Sequence, residues 1–281
     1  MSPKSMIVLL DDAEDSTRRF DLACELAQRH DAHLTVLALS LQIYPYAAAG
    51  FDAGAAAIDV GQIEEARKRA QAVANAANQA MAARNISGDV RWTSRELAGI
   101  RDITAIHSRF SELTIAGQPI AGREQSTREW ALEGALFSSG RPVLMVPSEY
   151  QRAMVARNVV VAWDASREAA RALNDAITFI KEAETTTIVI VDPEPGYQSF
   201  GDEPGADIAP IIARHCKNVD VDRIPSSGSS IAQTILKRSI DASGDLIVMG
   251  GYGHSPLRES VFGGVSHDMI RQTTIPLLLS H

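Results

Sequence analysis

Three glycines near the end of the sequence stand at a spacing that suits phosphate binding: Gly250, two residues, Gly253, nine residues, Gly263. Glycine lets the backbone approach an anion closely and adopt φ > 0. Gly263 and Gly264 lead into a helical pattern over Val265–Gln272. Unpaired amides and the dipole at a helix N-terminus favour negative charge there. One exposed contact of this kind is worth only about 0.3–1 kcal/mol, so useful affinity needs the whole loop to act together. His254 and Ser266 are polar residues within reach of such a loop. A three-glycine spacing is weak evidence alone, since glycine-rich stretches are commonly only turns.

The elements around the glycines strengthen the reading. An apolar run, Leu246–Met249, reads as a strand leading into Gly250, and a proline-led run, Ile275–Ser280, reads as a closing strand. Pro is tolerated at the start of a strand. The same order occurs earlier, where Glu112–Gly117 resembles Asp245–Gly250 and Arg141–Val146 resembles Ile275–Ser280. The openings match as well. Ile7–Asp12 sets against Val159–Asp164, each a short apolar run ending in Asp, as buried parallel strands do. Continued without a gap, this register places Asp12 on Asp164, Arg19 on Arg171 and Leu34–Ser40 on Thr186–Asp192. Ser16 and Ser166 are expected to cap helices over Ser16–His30 and Ser166–Glu182.

Each half thus reads β-α-β-α-β-α-β-α-β. The expected architecture is α/β: two tandem doubly wound domains, 1–147 and 158–281, each with a mostly parallel five-stranded sheet flanked by helices. The middles differ. The first half carries an Ala/Gly-rich loop at Tyr44–Ile58 and a long helix from about Val60; the second has a Pro/Gly/acid-rich loop at Pro193–Gly205 and a helix over Asp207–Lys217. Short strands are expected at Val90–Thr93 and Val221–Ile224. In such sheets ligands bind beyond the carboxyl ends of the strands, near the switch in strand order. Asp164, Asp192 and the loop after Met249 fall on that edge.

The glycine spacing, its place after the fourth strand and before the last helix, and the strand-plus-Asp opening resemble the G-x2-G-x9-G-[S/T] phosphate loop of the universal stress protein family. The resemblance covers essentially the whole chain, twice. It implies ATP, with Mg2+, as ligand of the second domain. Asp164 would face the ribose or the phosphate–metal region, and Val191 or Asp192 would meet the adenine through backbone groups. Gly250 and Gly253 would approach the phosphates, Gly263 and Gly264 would offer amides to them, and Met249 and Val265 would belong to the same binding site. Gly264 stands where the family has Ser or Thr, which removes a hydroxyl donor; Ser266 compensates only if the helix start brings it round. After Gly117 neither glycine spacing survives and Pro119 removes a backbone donor. The first domain therefore reads as a degenerate partner, and Asp11–Asp12 as a strand-end feature rather than a metal site. The resemblance also implies that the two domains pair within the chain, and it allows a further homodimer.

Composition narrows the function. The chain has 281 residues and a formal charge of −8, which leaves no electrostatic footprint for nucleic acid or an anionic membrane. Two cysteines, Cys24 and Cys216, read as packing residues in a reducing compartment. The opening apolar run is too short for a signal peptide, and no stretch reaches the ~18 apolar residues of a membrane span. A cytoplasmic location is expected. Ser266-His267-Asp268 are adjacent on a helix and point apart, so they form no relay. With no Walker lysine and no nucleophile elbow, catalytic residues are not assigned. The leading reading is a stress-response regulator that binds an adenine nucleotide. The alternatives are a two-domain scaffold or small-ligand sensor without nucleotide and, less favoured, a slow nucleotide hydrolase or transferase.

Overall fold

The structure is a computed structural model that describes residues 2–42, 60–119, 125–151, 156–193, 203–251 and 264–281. Two compact units emerge, Lys4–Ser139 and Gly140–His281, the second also holding Met1–Pro3.

In the Lys4–Ser139 unit, β1 (Ser5–Leu10), α1 (Ser16–His30), β2 (His33–Leu41), α2 (Val60–Ala83), β3 (Gly88–Arg95), α3 (Leu97–Ser108), β4 (Leu113–Gly117) and α4 (Gln125–Ser138) alternate along the chain. The strands lie in the order β3-β2-β1-β4, all parallel. Parallel strands are covered on both faces and so need unbroken apolar runs. Met6, Ile7, Val8, Leu34, Val36 and Ile115 are accordingly fully buried.

The Gly140–His281 unit contains β5 (Val143–Val146), β6 (Asn158–Ala162), α5 (Arg167–Asp175), α6 (Ile177–Glu182), β7 (Thr185–Val191), α7 (Ile208–Ala213), β8 (Val219–Ile224), α8 (Ile231–Asp241), β9 (Leu246–Gly250), α9 (Gly264–Gln272) and β10 (Leu277–Ser280). Its strand order is β5-β10-β9-β6-β7-β8. Every pair is parallel except β5 with β10, where Leu277 faces Met145 and Leu279 faces Val143. The doubly wound α/β class expected from the sequence is the class observed. The strands divide as four and six, because Val143–Val146 belongs with the compact unit that holds β10.

Several local expectations are corrected. The helix expected over Ser166–Glu182 is two, α5 and α6, broken at Ala176. The helix expected to reach Lys217 stops at Ala213, because the chain must turn in time for the Asn218 carbonyl to accept from the Thr186 amide on β7. Ser16 does not cap α1. It is the first helical residue, Asp15 takes the cap position, and the Ser16 hydroxyl is drawn into a buried ion-pair network. Ser166 does cap α5, accepting from the Ala169 amide at 3.1 Å. Both cysteines are free and buried. Most of the loops expected at Tyr44–Ile58 and Pro193–Gly205 lie outside the described residues.

Candidate functional site at the strand ends

In the Gly140–His281 unit β6 lies between β7 and β9, all three running the same way. Ala162 faces Val189 on one side and Met249 on the other. The carboxyl ends of these strands therefore present Trp163–Asp164, Val191–Asp192 and Gly250–Gly251 along one edge. The chain leaves β6 for β7 on one side and β9 for β10 on the other, so the strand order reverses between β6 and β9. A crevice is expected at such a point.

Gly250 is a glycine for a steric reason. A Cβ there would lie 2.5 Å from the Ala169 amide nitrogen and 2.6 Å from the Glu168 carbonyl carbon. The first turn of α5 is thus packed directly on the end of β9. Beside it, Asp164 is exposed; one of its oxygens accepts from the Ser166 amide at 3.0 Å and from the Ser166 hydroxyl at 2.6 Å. Ala165 between them adopts φ +59, which lets this tight turn close. Among the described residues the other Asp164 oxygen has no hydrogen-bond donor.

At the end of β7, Asp192 is exposed with φ +48. Its amide donates to the Ile224 carbonyl at 3.0 Å and its carboxylate accepts from the Ser226 amide at 2.8 Å. Hydrogen bonding from Ser226 holds this carboxyl below the usual aspartate range. A base reaching Val191 or Asp192 would not find the Asp192 amide unengaged. Met249 is buried. Gly251 is also committed: its amide donates to the Ser280 carbonyl at 2.8 Å, and its carbonyl lies 3.0 Å from His281 Nδ1. The helix expected after the second glycine cluster is present as α9, opening at Gly264, where an added Cβ would meet none of the described residues. Val265 is half-buried and Ser266 buried. Gly253, His254 and Gly263 lie outside the described residues.

The corresponding edge of the Lys4–Ser139 unit is built differently. Arg128, in the first turn of α4, straddles two carboxylates. Its Nε and Nη2 donate to Asp11 at 2.7 and 3.0 Å, its Nη1 and Nη2 to Asp15 at 3.0 and 2.6 Å, and Nη1 also to the Gln118 carbonyl at 3.1 Å. Arg19, 1% exposed, donates from Nε to the Leu9 carbonyl at 2.8 Å and from Nη2 to Ser16 Oγ at 2.7 Å, and lies 3.4 Å from Asp11 and 3.6 Å from Asp15. Burial alone would raise the Asp11 carboxyl, but the Arg19 charge and the hydrogen bonds and charge of Arg128 hold it far below the usual range. Burial likewise works against the Arg128 charge, and the hydrogen bonds it donates to Asp11 and Asp15 more than offset it, so its pKa is raised. For Arg19 burial dominates and the pKa is lowered. Asp12, the neighbour, pairs with Arg69 at 3.4 Å.

Strand register fixes which residues of the two edges correspond, and corrects the sequence alignment. Ile7 faces Thr35 and Thr114; Val160 faces Thr187 and Ile247. Glu112 accepts the Lys4 and Ser5 amides, as Asp245 accepts those of Arg157 and Asn158. These relations place Ile7 on Val160, and therefore Asp11, not Asp12, on Asp164. The same Asp–Ser hydrogen bond, 2.6 Å in both, then joins residues five apart in one unit and two apart in the other. The first unit has a three-residue insertion between strand and helix, so Arg19 falls on Ala169 rather than Arg171. The glycines agree: a Cβ on Gly117 would meet Arg19 Nη1 at 1.9 Å where one on Gly250 would meet the Ala169 amide.

Sequence reasoning missed Arg128, Asp15 and Gln118 in one unit and the Gly251–His281 contact in the other. The detectable signal was Arg128 itself, a charge three and four residues before Ala131 and Leu132 on the buried stripe of α4.

Residues 156–281 match the model of the universal stress protein family. No curated protein matches the sequence. Among solved structures, a universal stress protein from Archaeoglobus fulgidus DSM 4304 is similar over 100% of this chain and 96% of its own, with 20% identity and a TM-score of 0.71. A candidate universal stress protein from Pseudomonas aeruginosa UCBPP-PA14 is similar over 99% and 93%, at 13% identity and TM-score 0.59. A protein of unknown function from Pseudomonas aeruginosa PAO1 is similar over 99% and 92%, at 13% identity and TM-score 0.57. At these identities the likeness establishes the fold. Among the described residues no helix is long and apolar enough to cross a membrane.

Proposed function

We propose that this chain, whose residues 156–281 belong to the universal stress protein family, binds an adenine nucleotide at the strand ends of its Gly140–His281 unit and acts as a regulator rather than a catalyst. ATP with Mg2+ is the first choice of ligand. The observation that carries this reading is the contrast at the switch in strand order. Asp164 is exposed with one carboxylate oxygen open among the described residues, and Gly250 lets the chain run close against α5, at the head of the Gly250–Gly253–Gly263 spacing. Asp164 would serve the ribose or the metal-bound phosphates, Val191 or Asp192 the base, and Gly250, Gly253, His254, Gly263, Gly264, Val265 and Ser266 the phosphates, with Met249 packing beneath. Micromolar binding corresponds to roughly −8 kcal/mol, which a cradle of backbone donors plus a base slot can supply. The two units would pair within the chain as a tandem repeat, in the cytoplasm, with a homodimer as the next level of assembly.

A scaffold or small-ligand sensor without nucleotide is the second reading. It is favoured by Gly264 in place of a hydroxyl residue and by the Gly251 amide being given to Ser280. Calorimetric titration of ATP, ADP and AMP with magnesium into nucleotide-stripped protein separates the two. One saturable site per chain, lost in folded Gly253→Val and Gly263→Val variants, is the expected result. No heat and no thermal shift at millimolar nucleotide would leave the scaffold.

A further inference from the structure

We infer that the strand end of the Lys4–Ser139 unit is a guanidinium-binding site filled by the chain's own Arg128, which closes that unit to nucleotide. The inference rests on the strand-end reading of the site, while its rescue test needs no ATP binding in the other unit.

Four observations carry it. The position is the one where a ligand is expected, since Asp11 corresponds by strand register to the exposed Asp164. The recognition is that of a bound ligand: five hydrogen bonds from one guanidinium, two to each of two carboxylates and one to the Gln118 carbonyl. Planar forks of this kind match carboxylates in a bidentate way that an ammonium cannot. The helix dipole disfavours a cation in the first turn of α4, so the two carboxylates, not the helix, hold Arg128 there. Finally, the pocket that the described residues leave beside Arg128 is small. The remaining cavity, lined by Leu9, Asp11, Arg19, Thr127 and Arg128 among others, is about 10 Å³. That is room for one water. Such a water would meet two buried groups that have no hydrogen-bond partner among the described residues, Arg19 Nη1 and Thr127 Oγ1.

The test is chemical rescue in the full-length protein. Arg128→Ala empties the site and lowers the Tm of this unit by on the order of 10 °C, the scale for unpairing a buried ion pair. Millimolar methylguanidinium restores it saturably, sodium chloride at equal ionic strength does not, and the unsubstituted protein responds to neither. Restoration no better than with sodium chloride would overturn the proposal. A second measurement needs no variant. The Arg128 Nε–H signal of 15N-arginine-labelled protein is expected to exchange slowly and stay in place under saturating ATP. Loss of its protection on adding ATP would show that nucleotide displaces the plug, and would equally overturn it.

Discussion

Asp11 and Asp164 occupy the same place in two similar sheets, yet one is sealed and the other open. Asp11 is 4% exposed and meets two guanidiniums; Asp164 is exposed and, among the described residues, is hydrogen-bonded by Ser166 alone. The difference starts in a three-residue insertion between β1 and α1. The longer turn moves the helix start back along the chain, so that a long side chain, Arg19, projects where the other unit has Ala169. A second arginine from α4 completes the closure. An identical strand plan thus becomes either a structural keystone or a candidate ligand edge, according to one turn and two side chains.

The comparison is broken most directly by removing each carboxylate. Asp11→Ala leaves Arg19 and Arg128 buried with Asp15 as the one remaining carboxylate between them and is expected to cost about 3–5 kcal/mol. Asp164→Ala, on the surface, should change stability by no more than about 0.5 kcal/mol while weakening ATP binding. Urea unfolding followed separately for each unit checks this; equal losses would erase the distinction. The same carboxylate gives an acid signature. The Asp11 pKa is lower folded than unfolded, so its stabilisation is present above the ordinary aspartate pKa of about 3.9 and shrinks as pH falls towards the depressed folded value. Asp11→Asn should therefore flatten the loss of stability of this unit below about pH 4.

The glycines offer an intermediate test. Gly250→Ala pushes a methyl into the backbone of α5, and Gly117→Ala pushes one into a pinned Arg19. Overpacking of this kind costs about 1–3 kcal/mol. Gly250→Ala should in addition impair ATP binding, whereas Gly117→Ala should not. A smaller effect than that of the glycines is expected at the cap. Ser166→Ala removes a true cap and should cost about 1 kcal/mol, read as a shift in thermal midpoint that bound nucleotide partly restores.

Much of the fold was legible because parallel strands advertise themselves. Ile7–Leu10, Val159–Ala162 and Leu246–Met249 are unbroken apolar runs, and Gly117 and Gly250 mark where β4 and β9 end. The register between the halves was misjudged by one residue because Asp11 and Asp12 are adjacent and chemically alike. Only the pairing of β1 with β2 and β4 decides between them. The insertion before α1 was hidden for the same reason: Ser16 and Ser166 both look like caps, but only Ser166 serves as one. Arg128 carried a signal, a charge on an apolar helical stripe, yet its partners are 117 and 113 residues away. No local pattern connects them. In the other unit Asp164, Asp192 and Gly250 were placed correctly on one edge, since strand ends follow from strand order.

The antiparallel pairing of β5 with β10 has a bearing on how the second unit could be handled alone. The family match begins at residue 156, after β5. A fragment cut there would uncover one flank of β10, where Leu277, Leu278 and Leu279 are fully buried in the intact chain. A bare, uncharged edge of that kind is a template for strand addition by another molecule. Self-association of such a fragment would report the missing strand rather than a natural dimer.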